Sequence, residues 1–287
     1  MPYCTLPDKA KLFFEIYGSE LDLKGVIARI KPTIVVLHGG PNVDHTFHVP
    51  FFQLLAEQAQ IIFYNHRGCG RSDGDNPADW NLKQWAKDLN DFCEQLSLNK
   101  PYIAGISFGG WVALQYAVSY PNNYQGLILL DTEAFFDKKS KLESYRKIAG
   151  DKVAKIVEAF YCQPSNENNQ AFFLSCVPLF TKKPFPEELA RHCLVKRKMD
   201  SHFKQQVVPH YNLLNQLSII KSPVLYINGT INPHHSAEDA KRSAAALTHA
   251  QLQLHLLAET GFSTIDDPER VAQIIKQFLD KNSSAAI

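Results

Sequence analysis

The chain has 287 residues, of which 45% are hydrophobic, 21% charged and 11% aromatic, with 14 Gly and 16 Pro. That composition excludes disordered, collagen-like and coiled-coil chains and can bury a large core, as one big domain or as a core with an insertion. The 30 Lys and Arg against 29 Asp and Glu leave a net +1, so no global field selects nucleic acid or an anionic membrane.

No apolar run reaches the ~18 residues of a membrane span. The start Met1-Pro2-Tyr3-Cys4-Thr5-Leu6-Pro7 lacks the basic and apolar stretches of a secretory signal, and a cytoplasmic protein is expected. The six cysteines (Cys4, Cys69, Cys93, Cys162, Cys176, Cys193) form no CxxC pair, so reduced thiols and no metal are expected.

In chain order, Thr33 to His38 is a β-branched run that ends at Gly39-Gly40-Pro41, a buried strand entering a tight turn. Gln60 to Tyr64 is a second strand. Leu82 to Leu96 places Leu82, Trp85, Ala86, Leu89, Phe92, Cys93 and Leu96 at helical spacing. A strand ending at Tyr102-Ile103-Ala104-Gly105, a helix from Gly109 to Tyr120 and the strand Leu127 to Leu130 follow. From Glu133 to Leu217 the pattern is helical (142 to 160, 171 to 180, 187 to 199 and 203 to 217), without a buried strand. The α/β alternation then resumes with the strand Pro223 to Asn228, the helix Ala237 to Leu247, the strand Leu252 to Leu257 and a helix near Pro268 to Leu279. Short apolar strands alternating with helices predict a mostly parallel sheet covered on both faces. The expected domains are a core of residues 1–132 and 218–287 and a helical cap of 133–217. Residues 137–217 carry 14 Lys and Arg against 8 Asp and Glu, a net of +6 that leaves the remainder at −5. A basic cap favours neutral or anionic ligands.

Chemistry concentrates at Gly105-Ile106-Ser107-Phe108-Gly109-Gly110. Gly-x-Ser-x-Gly between a buried strand and a helix is the context in which a strained turn lifts a serine hydroxyl off the sheet edge. Such a serine needs N–H donors for a developing oxyanion. Phe108, the next residue, and the Gly39-Gly40 turn are the candidates.

Together, His38-Gly39-Gly40-Pro41, Tyr64 to Ser72, Gly105 to Gly110, Asn228 to Pro233 and Thr260-Gly261-Phe262 with Asp267-Pro268-Glu269 resemble the α/β-hydrolase superfamily, in its proline iminopeptidase-like branch. The resemblance runs from about residue 30 to residue 280 and implies an α/β-hydrolase fold with a helical cap where the insertion lies. It implies a Ser-His-Asp triad, with the acid at the position of Asn232 and the base at the position of Phe262. Neither residue present here can play the implied part. Asn65 also replaces the family's Asp after Tyr64, and Asn42 its Gly after Pro41.

A serine without a base is a weak nucleophile. His234 and His235 follow Asn232, and His235 is the candidate substitute base, with Asp131 placed to orient it. His38 is expected to be structural and His255 packed. Trp111 and the cap aromatics Phe135, Phe136, Phe160, Tyr161, Phe172 and Phe173 are candidate pocket walls.

Two functions follow. One is hydrolysis of a small ester or amide by Ser107, without cofactor. Since the branch's peptidases hold a free amine with acidic cap groups, the basic insertion points instead to esters, lactones or carboxylated amides. The other is a catalytically degenerate relative that binds a small ligand or a protein.

Overall fold

The computed structural model describes residues 2–24 and 28–282; Met1 and 283–287, at the ends of the two expected core segments, lie outside them. The strands are β1 (Tyr3–Thr5), β2 (Lys11–Tyr17), β3 (Leu21–Asp22), β4 (Arg29–Ile30), β5 (Thr33–Leu37), β6 (Gln60–Tyr64), β7 (Tyr102–Ile106), β8 (Gly126–Leu130), β9 (Pro223–Gly229) and β10 (Gln251–Leu257). Among the described residues, one eight-stranded sheet runs in the order β1-β2-β6-β5-β7-β8-β9-β10, and β3 pairs β4 separately. From β6 to β10 all pairings are parallel, whereas β1 and β2 add an antiparallel edge. That edge, absent from the sequence reading, is built from Lys-Leu-Phe-Phe-Glu-Ile-Tyr, whose mixed burial lacks the continuous apolar run of the inner strands.

The helices are α1 (Val49–Gln53), α2 (Leu82–Gln95), α3 (Phe108–Ser119), α4 (Lys138–Cys162), α5 (Asn166–Cys176), α6 (Glu187–Arg191), α7 (Arg197–His202), α8 (Ala237–Ala245), α9 (Ser263–Asp266) and α10 (Pro268–Asn282). The predicted helix over 82–96 is α2, which starts where the Asn81 side chain accepts from Gln84 N at 3.0 Å. Its apolar stripe, Trp85, Leu89 and Phe92, packs with Val112 and Tyr116 of α3 on one face of the sheet. On the other face Phe52, Ile61, Phe63, Ile128, Leu130 and Phe278 form a second core. Both faces are therefore dry, and β7 and β8 are buried at every position.

The helical segment is more broken than its periodicity suggests. The expected helix 142–160 is part of α4, whose backbone kinks at Gly150 (φ 80°, ψ 177°). The expected helix 171–180 is α5 ending at Cys176, with a tighter turn at Val177–Phe180 that contains Pro178. Expected helix 187–199 divides into α6 and α7. Expected helix 203–217 is a wide turn at Phe203–Val207 followed by tight turns at Val208–His210 and Leu214–Ile219; Pro209 cannot donate a backbone hydrogen bond and prevents a continuous helix.

Candidate active site

Ser107 sits between β7 and α3 with φ 51° and ψ −119°, a left-handed conformation that costs a non-glycine residue energy and is held by its surroundings. The flanking glycines are steric necessities. A Cβ on Gly109 would lie 2.0 Å from Leu37 O, and one on Gly105 2.5 Å from Gly109 O. Strand and helix can thus approach closely enough to force the turn, and the predicted elbow is present.

From that turn Ser107 Oγ lies 3.0 Å from His235 Nε2, and His235 Nδ1 lies 2.5 Å from Glu133 Oε2. With a carboxylate on Nδ1 the consistent tautomer has Nδ1–H donating to Glu133 and Nε2 accepting from the Ser107 hydroxyl. A hydroxyl, an imidazole and a carboxylate therefore form one chain, as a serine nucleophile requires.

Each member is positioned by its own element. Asn232, at the implied acid position, makes no hydrogen bond to the imidazole, whose nitrogens pair with Glu133 and Ser107. Its Oδ1 accepts from His234 N at 2.9 Å and His235 N at 3.2 Å, turning the loop after β9 so that His235 faces Ser107. Asn228 Nδ2 fixes the same loop by donating to His235 O at 2.8 Å. Glu133 follows β8 by three residues, and its backbone neighbourhood is tied down three times. Tyr226 Oη donates to Thr132 O at 2.6 Å, Tyr211 Oη to Glu133 O at 2.8 Å, and Ala134 N to Ser243 Oγ at 2.9 Å.

Asp131 does not orient the histidine, contrary to the sequence expectation. Its Oδ1 accepts from Gly229 N at 3.1 Å, and its Oδ2 from Ser263 N at 2.8 Å and Ser263 Oγ at 2.6 Å, which commits the carboxylate to joining β9 and α9. Phe262, at the implied base position, carries no group that could accept the serine proton. It packs against the second core, and its carbonyl accepts from Ile265 N and Asp266 N. His255 is half-buried on edge strand β10.

Glu133 and His235 are buried, and so is a third partner, Lys141 of α4. Lys141 Nζ donates to Glu133 Oε1 at 3.2 Å and to His234 O. Burial pushes the Glu133 carboxyl up, but His235 and Lys141 more than offset this and hold it below its usual range, so it is ionised at neutral pH. Burial, then Lys141 and His235, keep the His234 imidazole well below its usual range and neutral; its Nδ1 pairs with Tyr145 Oη at 3.0 Å. Neither Glu133 nor Lys141 was singled out in the sequence reading. The available signal was an acidic residue just beyond the carboxyl end of an inner strand, where sites in such sheets collect.

On the oxyanion side, Gly39 N donates to His48 Nε2 at 3.2 Å, so the candidates narrow to the N–H groups of Gly40 and Phe108. Gly40 has φ 61°, and a Cβ on Gly39 would stand 3.4 Å from Ser107 Cβ, so the turn lies against the serine. Phe108 begins α3, where the helix dipole favours negative charge. His38 and His48 are neutral, lowered by burial to about 4 and about 3. His38 Nε2 accepts from His66 N at 3.2 Å, the structural part expected of it.

The cleft divides at Ser107. One arm, of about 150 Å³, includes Asn42, Trp111, Phe160, Phe172 and Phe203 in its wall. Trp111 stacks on Tyr211 with ring centres 3.9 Å apart. The other arm, of about 580 Å³, includes Phe47, Phe173, Phe180, Phe185, Val195 and Phe262. Of the remaining expected walls, Tyr161 lines the small arm, whereas Phe136 packs on Tyr161 and Phe135 lies under Arg242.

The model of the alpha/beta hydrolase fold family matches residues 32–267. Among curated relatives, proline iminopeptidase of Lactobacillus helveticus (strain DPC 4571) is 29% identical over 227 residues, covering 70% of this chain and 74% of the relative. That of Clostridium botulinum is 24% identical over 269 residues, covering 88% and 91%. Among solved structures, proline iminopeptidase of Mycobacterium smegmatis superposes with a TM-score of 0.74 at 19% identity, covering 98% of each chain. The enol-lactonase of Burkholderia xenovorans LB400 does so with 0.72 at 19% identity, covering 97% of this chain and 100% of the other. The strained serine between β7 and α3, the glycine turn after β5 and the matched span agree, and the chain belongs to the α/β-hydrolase fold family, with similarity to its proline iminopeptidases.

Proposed function

We propose that this protein is a serine hydrolase of small esters or amides whose triad is Ser107, His235 and Glu133, with segment 133–217 as a cap over the site. The reading rests on one observation: the continuous chain from Ser107 Oγ to His235 Nε2 at 3.0 Å and from His235 Nδ1 to Glu133 Oε2 at 2.5 Å. Ser107 Oγ attacks the substrate carbonyl carbon as His235 Nε2 takes its proton, and the N–H groups of Gly40 and Phe108 receive the oxyanion. The tetrahedral adduct collapses as imidazolium returns the proton to the leaving oxygen or nitrogen. Water, deprotonated by the same nitrogen, then cleaves the acyl-serine to release the acid. Throughout, the Glu133 carboxylate holds the tautomer and stabilises the imidazolium.

The base has thus moved from the loop after the last strand to the loop after β9, and the acid to the end of β8. This accounts for Asn232 and Phe262 without loss of catalysis, and the degenerate, ligand-binding reading loses its premise of a serine without a base. Stoichiometric labelling by a fluorophosphonate, abolished in Ser107→Ala and reduced at least 10³-fold in rate in His235→Ala, tests the assignment. Undiminished labelling in His235→Ala would refute it.

A further inference from the structure

The charges lining the cleft are matched. Glu133 faces Lys141, as described. In the small arm, Asp200 Oδ2 accepts from Lys204 Nζ at 2.8 Å and from Asn169 Nδ2 at 2.8 Å, and Lys204 Nζ also donates to Asn169 Oδ1 at 2.6 Å. Asp200 and Lys204 are buried at 8% and 3% exposure, and Lys204 Nζ lies 3.2 Å above the Phe160 ring. At the rim of the large arm, Glu187 pairs with Arg191 at 3.5 Å, both exposed. Among the described residues, a substrate ammonium entering either arm therefore meets no carboxylate that lacks its own cation, and in the small arm it would approach Lys204. A substrate carboxylate entering the small arm finds that lysine already engaged. Desolvating a charge without a partner is costly in either case.

The large arm offers apolar surface instead. Phe47 and Phe185 stack with ring centres 5.5 Å apart, Phe173 meets Phe185 edge-on at 6.4 Å, and Phe180 and Val195 extend the wall. Phe262 joins them, so the corner where the family places its imidazole is now hydrocarbon. About 580 Å³ lies within the usual size range of small-molecule sites.

On the strength of the proposed triad, we infer that the substrate is a neutral ester with a hydrocarbon group of medium length in the large arm and a compact group in the small one, and not an ester or amide of a free amino acid. Chain length and charge are read separately. Hydrolysis is measured for p-nitrophenyl acetate, butyrate, hexanoate and octanoate, and for the ethyl, butyl, hexyl and octyl esters of butyric acid. In at least one series kcat/KM climbs towards about fourfold per added methylene, the ratio expected for full burial, until the arm is full. Methyl cyclopentanecarboxylate and L-proline methyl ester then form an isosteric pair differing in the ring ammonium. With each rate divided by its own hydroxide-catalysed rate, the carbocycle is favoured at least 100-fold. In Ala190→Trp, which narrows the large arm, the ratio of the longest to the shortest ester in the climbing series falls at least tenfold.

Fluorophosphonate labelling separates the failures. Labelled Ser107 with two flat series, or with the proline ester preferred, overturns the substrate assignment and leaves the triad standing. Absence of both labelling and ester turnover removes the triad and the substrate assignment with it.

Discussion

Glu133→Gln tests two distinct consequences of one carboxylate. Glutamine keeps the shape of the side chain and one carbonyl oxygen but cannot both accept from Nδ1 and carry charge. In other triads, loss of the carboxylate costs about 10⁴-fold in turnover because the wrong tautomer is favoured and the imidazolium is no longer stabilised. Here the substitution also deprives Lys141, at 2% exposure, of its anionic partner, leaving it the His234 carbonyl. Removing one member of a buried pair typically costs about 3 to 5 kcal/mol. For a domain of this size that corresponds to a fall in Tm of about 5 to 15 °C.

The double variant Glu133→Gln/Lys141→Met separates the two effects. Removing the stranded charge restores most of the Tm, while turnover of p-nitrophenyl butyrate stays about 10⁴-fold below the parent. Differential scanning calorimetry and steady-state rates on the same samples decide the matter. An E133Q enzyme within tenfold of the parent, with a correctly folded thermogram, would refute the role given to Glu133. A Tm unaffected by E133Q would refute the energetic coupling to Lys141.

Three further outcomes are expected. Phe262→His leaves esterase turnover within about threefold of the parent, because His235 already occupies the proton-accepting position; a gain of tenfold or more would mean that the parent lacks a base. Burial, opposed by Ser263 and Gly229, raises the Asp131 carboxyl to about 6, above its unfolded value of about 3.9. Its contribution to stability is therefore fully present below the unfolded value and is lost as pH rises through about 6, so Asp131→Asn flattens the dependence of Tm on pH between about 4 and 6 while lowering Tm at every pH; an unchanged slope contradicts this. Arg67 holds buried Asp88 through Nε at 2.8 Å and Nη2 at 2.7 Å, so Arg67→Met leaves that carboxylate without its cation and with only the Gln84 amide as donor, and lowers stability by about 3 to 5 kcal/mol in urea titrations, and Arg67→Lys recovers only part because an ammonium cannot form the two-pronged contact. Equal stability of the Lys variant and the parent would count against the fork.

Much of this was legible in the sequence because it is local. The inner strands are short continuous apolar runs, α2 has a helical stripe, and the glycines around Ser107 are demanded by contacts within one strand-turn-helix unit. The β1–β2 edge was less legible, since Lys11–Tyr17 shows no clean period and is a strand because β6 and β1 offer it hydrogen bonds. The helices expected within 133–217 are interrupted where Gly150, Pro178 and Pro209 stand in an otherwise helical composition.

Sequence alone determined that Ser107 stands in a Gly-x-Ser-x-Gly turn and that Asn232 and Phe262 stand where the resemblance implies an acid and a base, because those are statements about which residue follows which turn. The tertiary structure decided which groups meet Ser107. Lys141 and His235 lie 8 and 102 positions from Glu133, and the three meet because β8 and β9 are neighbours in the sheet and α4 brings Lys141 back to Glu133. Asp131 and Glu133 are equally plausible acids along the chain. Which one reaches the imidazole depends on the backbone path after β8 and on Gly229 and Ser263 having already claimed the first.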